Sequence, residues 1–187
     1  MATELSDQLA AAAARTVPVV RGIRDDQLAL RTPCAQFEVR DLVNHLYHVV
    51  VNFQTLATKG AVDFATTPDR TGGDFRGGFA EETRRLAEAW GDPATLEGHS
   101  PGMGLPQAVV GRMALMDLIV HGWDLAEATG QPYEPDPATV DAVRETAAML
   151  APQGRQYGVF GPEVEAGPDA GQFERLLALT GREPAGS

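Results

Sequence analysis

Cysteine occurs once in the 187 residues, at Cys34. A lone cysteine excludes an internal disulfide and any zinc site built from several thiolates. Positive charge is scarce as well: 15 Lys and Arg stand against 26 Asp and Glu, a formal net charge of −11. Nucleic-acid backbones and anionic membrane surfaces are bound through clustered cations, so neither is an expected partner. The acidity is read as a source of solubility. No segment approaches the roughly 18 consecutive apolar residues of a membrane-spanning helix. The apolar run 9–14 is short, and Glu4 and Asp7 precede it where a secretory signal would carry positive charge. A cytoplasmic location is therefore expected. Strand-like alternation between turn residues is rare, which leaves little material for a sheet.

What the chain does have is length for a core and helical periodicity. At 187 residues, with 43% hydrophobic and 22% charged composition, it fits one globular domain over 1–187. The spacing of apolar residues predicts helices over about 3–23, 39–58, 79–90, 105–128 and 137–150, with a short one at 174–179. Pro18 is expected to kink the first or end it early. Asp136 as N-cap with Pro137 at the first helical position opens the fifth, and Gly130 with Pro132 stops the fourth. Residues 61–78, holding Pro68, Gly72, Gly73, Gly77 and Gly78, read as a long mobile connection. Helices of this length joined by loops point to an all-α bundle, in which sites are built from inward side chains on facing helices.

Two of these helices carry polar residues on apolar faces. Successive residues of a helix turn by about 100°. On that wheel Val39, Leu42, Val43, Leu46, Val49, Val50, Phe53 and Leu56 form one stripe, with His45 at its edge and His48 nearly opposite. In the fourth helix Val110, Met113, Ala114, Leu125 and Ala128 mark a buried stripe interrupted by Asp117, His121 and Asp124. Asp117 and His121 lie four apart and point the same way. An unpaired buried carboxylate costs several kcal/mol, so Asp117 needs a partner. A divalent cation shared with His121 is one, and a direct Asp117–His121 ion pair on a partly exposed face is the other.

The segment Asp117-Leu-Ile-Val-His121-Gly-Trp-Asp124-Leu-Ala resembles the signature of an actinobacterial family of metal-binding proteins. That family belongs to the DinB/YfiT-like superfamily and is related to the metal-binding N-terminal domain of mycothiol-dependent maleylpyruvate isomerase. Thr32-Pro33-Cys34 with Val39-Arg40-Asp41-Leu42-Val43-Asn44-His45 resembles its N-terminal motif. Phe160-Gly161-Pro162-Glu163-Val164, with Arg175 to Leu179 and Gly181-Arg182, resembles its C-terminal one. The resemblance spans nearly the whole chain, and the near absence of lysine (Lys59 alone) suits a GC-rich genome.

The resemblance implies a DinB/YfiT-like four-helix bundle with an additional short C-terminal helix and a metal held by His45, Asp117 and His121. The isomerase carries Glu where Asp117 stands and has a further C-terminal domain, so isomerisation of maleylpyruvate itself is not implied. Two imidazoles and a carboxylate leave a coordination position open, as catalytic zinc sites do. The set suits Zn²⁺, and Ni²⁺ or Fe²⁺ would also accept it. The expected function is a metal-dependent transferase or isomerase that uses a low-molecular-weight thiol, mycothiol, on a small electrophile. A non-catalytic metal- or ligand-binding module and a metal-dependent hydrolase are the alternatives. Asp124 is expected to act behind the ligands, orienting an imidazole or the thiol, or else to serve a local hydrogen-bond network beside Trp123. Cys34 is read as a small buried hydrophobe and His99 as a residue in a Gly/Ser loop with only an outside claim to ligation. A homodimer through an apolar helix face completes the expectations.

Overall fold

The structure, a computed structural model, describes residues 2–183. Six α-helices follow in order: α1 Glu4–Gly22, α2 Val39–Ala57, α3 Phe75–Ala89, α4 Gln107–Thr129, α5 Pro137–Gln156 and α6 Gln172–Leu179. Among the described residues there is no strand, only isolated bridges pairing Arg31 with Glu38 and His99 with Pro106. None of these helices is long and apolar enough to cross a membrane.

α1 to α4 form a four-helix bundle of the DinB/YfiT-like kind: α1 packs on α3 and α4, and α2 packs on the same two helices. α5 lies against the outside of α4, and α6 against α5. Polar contacts fix these pairings along their length. The Thr3 hydroxyl caps α1 by accepting from the Ser6 amide and donates to the Trp90 carbonyl at 2.6 Å. Ser6 Oγ donates to the Ala87 carbonyl at 2.7 Å, and Thr16 Oγ1 to the Leu118 carbonyl at 3.0 Å. Each satisfies a polar group that burial would otherwise leave stranded. The Trp90 indole, fully buried, donates to the Phe53 carbonyl at 3.1 Å and so joins the end of α3 to α2.

Two helix boundaries and the effect of Pro18 differ from the sequence expectation. α3 starts at Phe75 rather than near 79, because Asp74 caps it: its carboxylate accepts from the Gly77 amide at 3.0 Å. Gly77 and Gly78 therefore lie in a helical first turn, not in the connection, and a Cβ on Gly78 would fall 2.6 Å from Tyr47 Oη of α2. α1 runs unbroken through Pro18, and α5 runs through Pro152 to Gln156 rather than ending near 150. Proline removes the bond to the carbonyl four residues back. Pro18, Ala14, Pro152 and Ala148 are all exposed, so the freed carbonyls face solvent.

α4 is also more deeply placed than a single apolar stripe suggests. It contacts α1, α2 and α5, and its buried residues run around the helix, among them Val110, Leu115, Leu118, Ile119, Val120 and Leu125. A helix apolar on all sides belongs at the centre of a fold. Met113 and Ala128, expected on the buried stripe, are only partly buried. Where α4 meets α1 and the segment after it, Gly122 leaves room: a Cβ there would lie 2.7 Å from Thr16 Oγ1 and 2.8 Å from Tyr133 Oη.

Candidate metal centre

The side chains of His45, from α2, and of Asp117 and His121, from α4, converge where these two helices face each other. One candidate ligand atom from each lies within 4.8 Å of the other two. The His45 and His121 rings meet edge to face, centroids 5.1 Å apart at 87°. His45 is also stacked on Phe37 of the loop before α2, at 5.1 Å and 24°. Burial lowers the His45 pKa from its ordinary value to about 3, with His121 and then His48 adding to the effect. At neutral pH its imidazole is uncharged and keeps a lone pair for a cation.

His121 is oriented from behind. Its Nδ1 lies 2.9 Å from Asp124 Oδ2, and an ionised carboxylate only accepts, so Nδ1 carries the proton. In the neutral ring the lone pair is then on Nε2, which faces Asp117 Oδ1 at 3.7 Å. That separation is too long for a hydrogen bond. It is close to the roughly 3.3–3.5 Å expected between two donors on one tetrahedral ion with bonds of about 2.0–2.2 Å. Burial pushes the Asp117 carboxyl up, against the opposing influence of His121 and Arg182. The donor set thus fits a divalent ion: two imidazoles with available lone pairs and a carboxylate that burial disfavours when unpaired.

Asp124 is fully buried. Burial would raise its pKa, but hydrogen bonds from His121 and Arg182 outweigh that and hold the carboxyl below its ordinary value. Arg182, beyond α6 and also buried, donates from Nε to Asp124 Oδ1 at 3.2 Å and from Nη2 to Oδ2 at 2.8 Å. Its Nη1 donates to the Thr180 carbonyl at 2.9 Å. Sequence reasoning gave Arg182 no role. The available signal was its place in the segment resembling the family's C-terminal signature, but nothing in one dimension connects that segment to α4.

Cys34 is half-buried beside this group, and its sulfur forms a second close cluster with His121 and Asp124. Burial raises its thiol pKa, Arg182 opposing, so the thiol is protonated at neutral pH and is a poor nucleophile. His48 is turned away from the centre: its Nε2 lies 2.8 Å from the Asp63 carbonyl oxygen. His99 is exposed in the turn before α4 and takes no part in the cluster. The three residues open into a cavity of about 380 Å³, whose wall includes Phe37, Phe53, Met113, Met116 and Phe160.

Comparison with known proteins identifies the family. The family model for the mycothiol maleylpyruvate isomerase N-terminal domain matches residues 9–126, a span that includes His45, Asp117, His121 and Asp124. Two Mycobacterium tuberculosis proteins, from different strains and both named as uncharacterized, are each 29% identical over 171 residues, covering 88% of this chain and 90% of the relative. No solved structure matches the chain. The match covers more than half of the sequence, and the chain belongs to the mycothiol maleylpyruvate isomerase N-terminal domain family.

Proposed function

We propose that this protein holds one divalent metal ion through His45, Asp117 and His121 and uses it to activate a low-molecular-weight thiol, mycothiol in the family's chemistry, toward a small electrophile. The observation that carries the reading is the convergence of two imidazoles and one half-buried carboxylate on a single point at the floor of a cavity. A bound ion with an open position would favour the thiolate form of a coordinated thiol at neutral pH. Zn²⁺ suits this donor set, and Ni²⁺ or Fe²⁺ would also be accepted.

The chain's own residues have separate tasks. Burial keeps His45 neutral, and Phe37 stacks on its ring. Asp124 fixes the tautomer of His121, and Arg182 fixes Asp124. Such partners behind a ligand typically contribute 10–100-fold to metal affinity or activity. The apolar wall excludes water from the reacting groups, which strengthens electrostatic interactions inside. Cytoplasmic residence and a homodimer belong to the same proposal; sedimentation velocity of the purified chain tests the dimer.

The decisive experiment measures metal content of the untagged protein by elemental mass spectrometry, beside His45→Ala and His121→Ala. About one equivalent, lost in both variants, is expected. Calorimetry with mycothiol or a simpler thiol analogue then separates the transferase from a non-catalytic module: binding to the metal-loaded protein and not to His121→Ala supports the transferase. No metal after soaking with zinc or nickel would reduce the three residues to a buried polar cluster.

A further inference from the structure

The cavity over His45, Asp117 and His121 has the size of a small-molecule site, about 380 Å³ against a usual range of roughly 300–1,000 Å³. Its chemistry is unusually one-sided. Val49 and Phe53 of α2 and Met113 and Met116 of α4 line it together with the three polar residues. Flexible thioethers such as these adapt to apolar shapes and make favourable contacts with aromatic rings.

Among the described lining residues, Arg182 is the only Lys or Arg, and it is already committed. Two of its nitrogens donate to Asp124 and a third to the Thr180 carbonyl, and the side chain is buried. Little of the Arg182 guanidinium is left for a ligand, since three of its five N–H groups are used and the side chain is only 4% exposed.

The rim points the same way. Five large apolar side chains are strongly exposed among the described residues, and three of them line this one cavity: Phe64 at 43%, Tyr157 at 69% and Val159 at 68%. Single exposed apolar residues are ordinary, but their concentration at one mouth marks a binding surface. Both rim segments are tied down. The Asp63 carbonyl accepts from Asn52 Nδ2 at 2.9 Å, and Phe64 meets Phe53 with centroids 6.0 Å apart. Gln36 Nε2 donates to the Gly158 carbonyl at 2.8 Å, linking the loop before α2 to the segment after α5.

We infer that the ligand of this cavity is a small molecule with a predominantly aryl or alkyl body, which makes most of its contacts with the protein. Calling that ligand the electrophilic substrate rests on the metal-centre reading above; its apolar character rests on the cavity wall alone. The polar end of the molecule would face His45, Asp117 and His121, and its apolar body the methionines and phenylalanines.

The test is a fluorescence titration of the metal-soaked full chain with N-phenyl-1-naphthylamine, an uncharged probe that brightens in apolar surroundings. Saturable uptake of about one equivalent is expected, displaced by naphthalene and not by millimolar maleate. Met113→Glu and Val159→Asp are each expected to weaken uptake at least about tenfold. Val159 is exposed, so its variant keeps the fold, which circular dichroism checks. Displacement by maleate as effective as by naphthalene, absence of uptake by folded protein, or unchanged uptake in both variants overturns the inference. Metal content of the same samples keeps the two proposals apart. Uptake without metal overturns only the metal-centre reading, and metal without uptake overturns only this one.

Discussion

Arg182 and Asp124, 58 residues apart in the chain, form a two-pronged ion pair that is almost wholly buried, with N–O distances of 3.2 and 2.8 Å. Asp124 uses the same Oδ2 to hold His121 at 2.9 Å. The tail that follows α6 is thereby connected, through one carboxylate, to the imidazole at the centre of the site. Truncating Arg182 leaves the buried Asp124 carboxylate without its counter-charge, held by His121 alone. Arg182→Met is expected to cost about 3–5 kcal/mol of stability, measured by urea denaturation. A loss below about 1 kcal/mol, the worth of a surface ion pair, would mean that the pair is open to solvent.

Asp124→Asn tests the orienting role separately from the ligand set. The amide is nearly isosteric, yet it removes the negative charge that favours a proton on His121 Nδ1. Metal affinity is expected to fall about 10–100-fold while stoichiometry stays near one. Competition against a chelator of known affinity reads the difference. Unchanged affinity would show that His121 keeps its tautomer without help.

Stability of the metal-free protein carries a signature of His45. Its pKa is about 3 in the folded chain against an ordinary 6.5, so between these values the unfolded chain binds the extra proton. The contribution is therefore fully present above pH 6.5 and is lost as pH falls toward 3. At pH 5 the loss from this group alone amounts to about 2 kcal/mol. Asp117, whose pKa is raised, acts in the opposite sense and offsets part of it. Chemical denaturation of wild type and His45→Gln at pH 7 and pH 5 isolates the histidine. The variant is expected to lose less stability over that interval, and parallel losses would refute the assignment.

Gly122 sits one residue from His121, on the side of α4 that meets Thr16 and Tyr133. A methyl group at 2.7–2.8 Å from two hydroxyl oxygens forces α4 and its neighbours apart. Gly122→Ala is expected to destabilise by about 1–3 kcal/mol despite alanine's better helix propensity, which alone would add about 1 kcal/mol of stability. A thermal melt decides the sign.

Much of this protein is determined by the sequence itself. The 3.6-residue spacing in α2 placed Leu42, Leu46, Val50 and Phe53 inward and His45 at the edge, because one apolar face decides how a surface helix sits. The spacing of Asp117 and His121 put both on one side of α4, since residues four apart share a face. Capping chemistry at Asp136 and Gly130 marked helix ends through local backbone needs alone. Asp74 carried the same kind of signal for α3, but the glycines after it masked the helix.

Other features were decided by tertiary structure. That the middle of α4 is buried around most of its circumference follows from α5 covering its outer side, which no periodicity within α4 encodes. Pro18 and Pro152 leave their helices intact because the carbonyls they free lie on exposed turns, a property of the packed molecule. The meeting of His45 with His121, the Arg182–Asp124 pair, and the gathering of Phe64, Tyr157 and Val159 at one mouth join residues distant in the chain. Periodicity and capping act within a few residues, whereas burial and charge pairing act through space, and the site is made by the second kind of force.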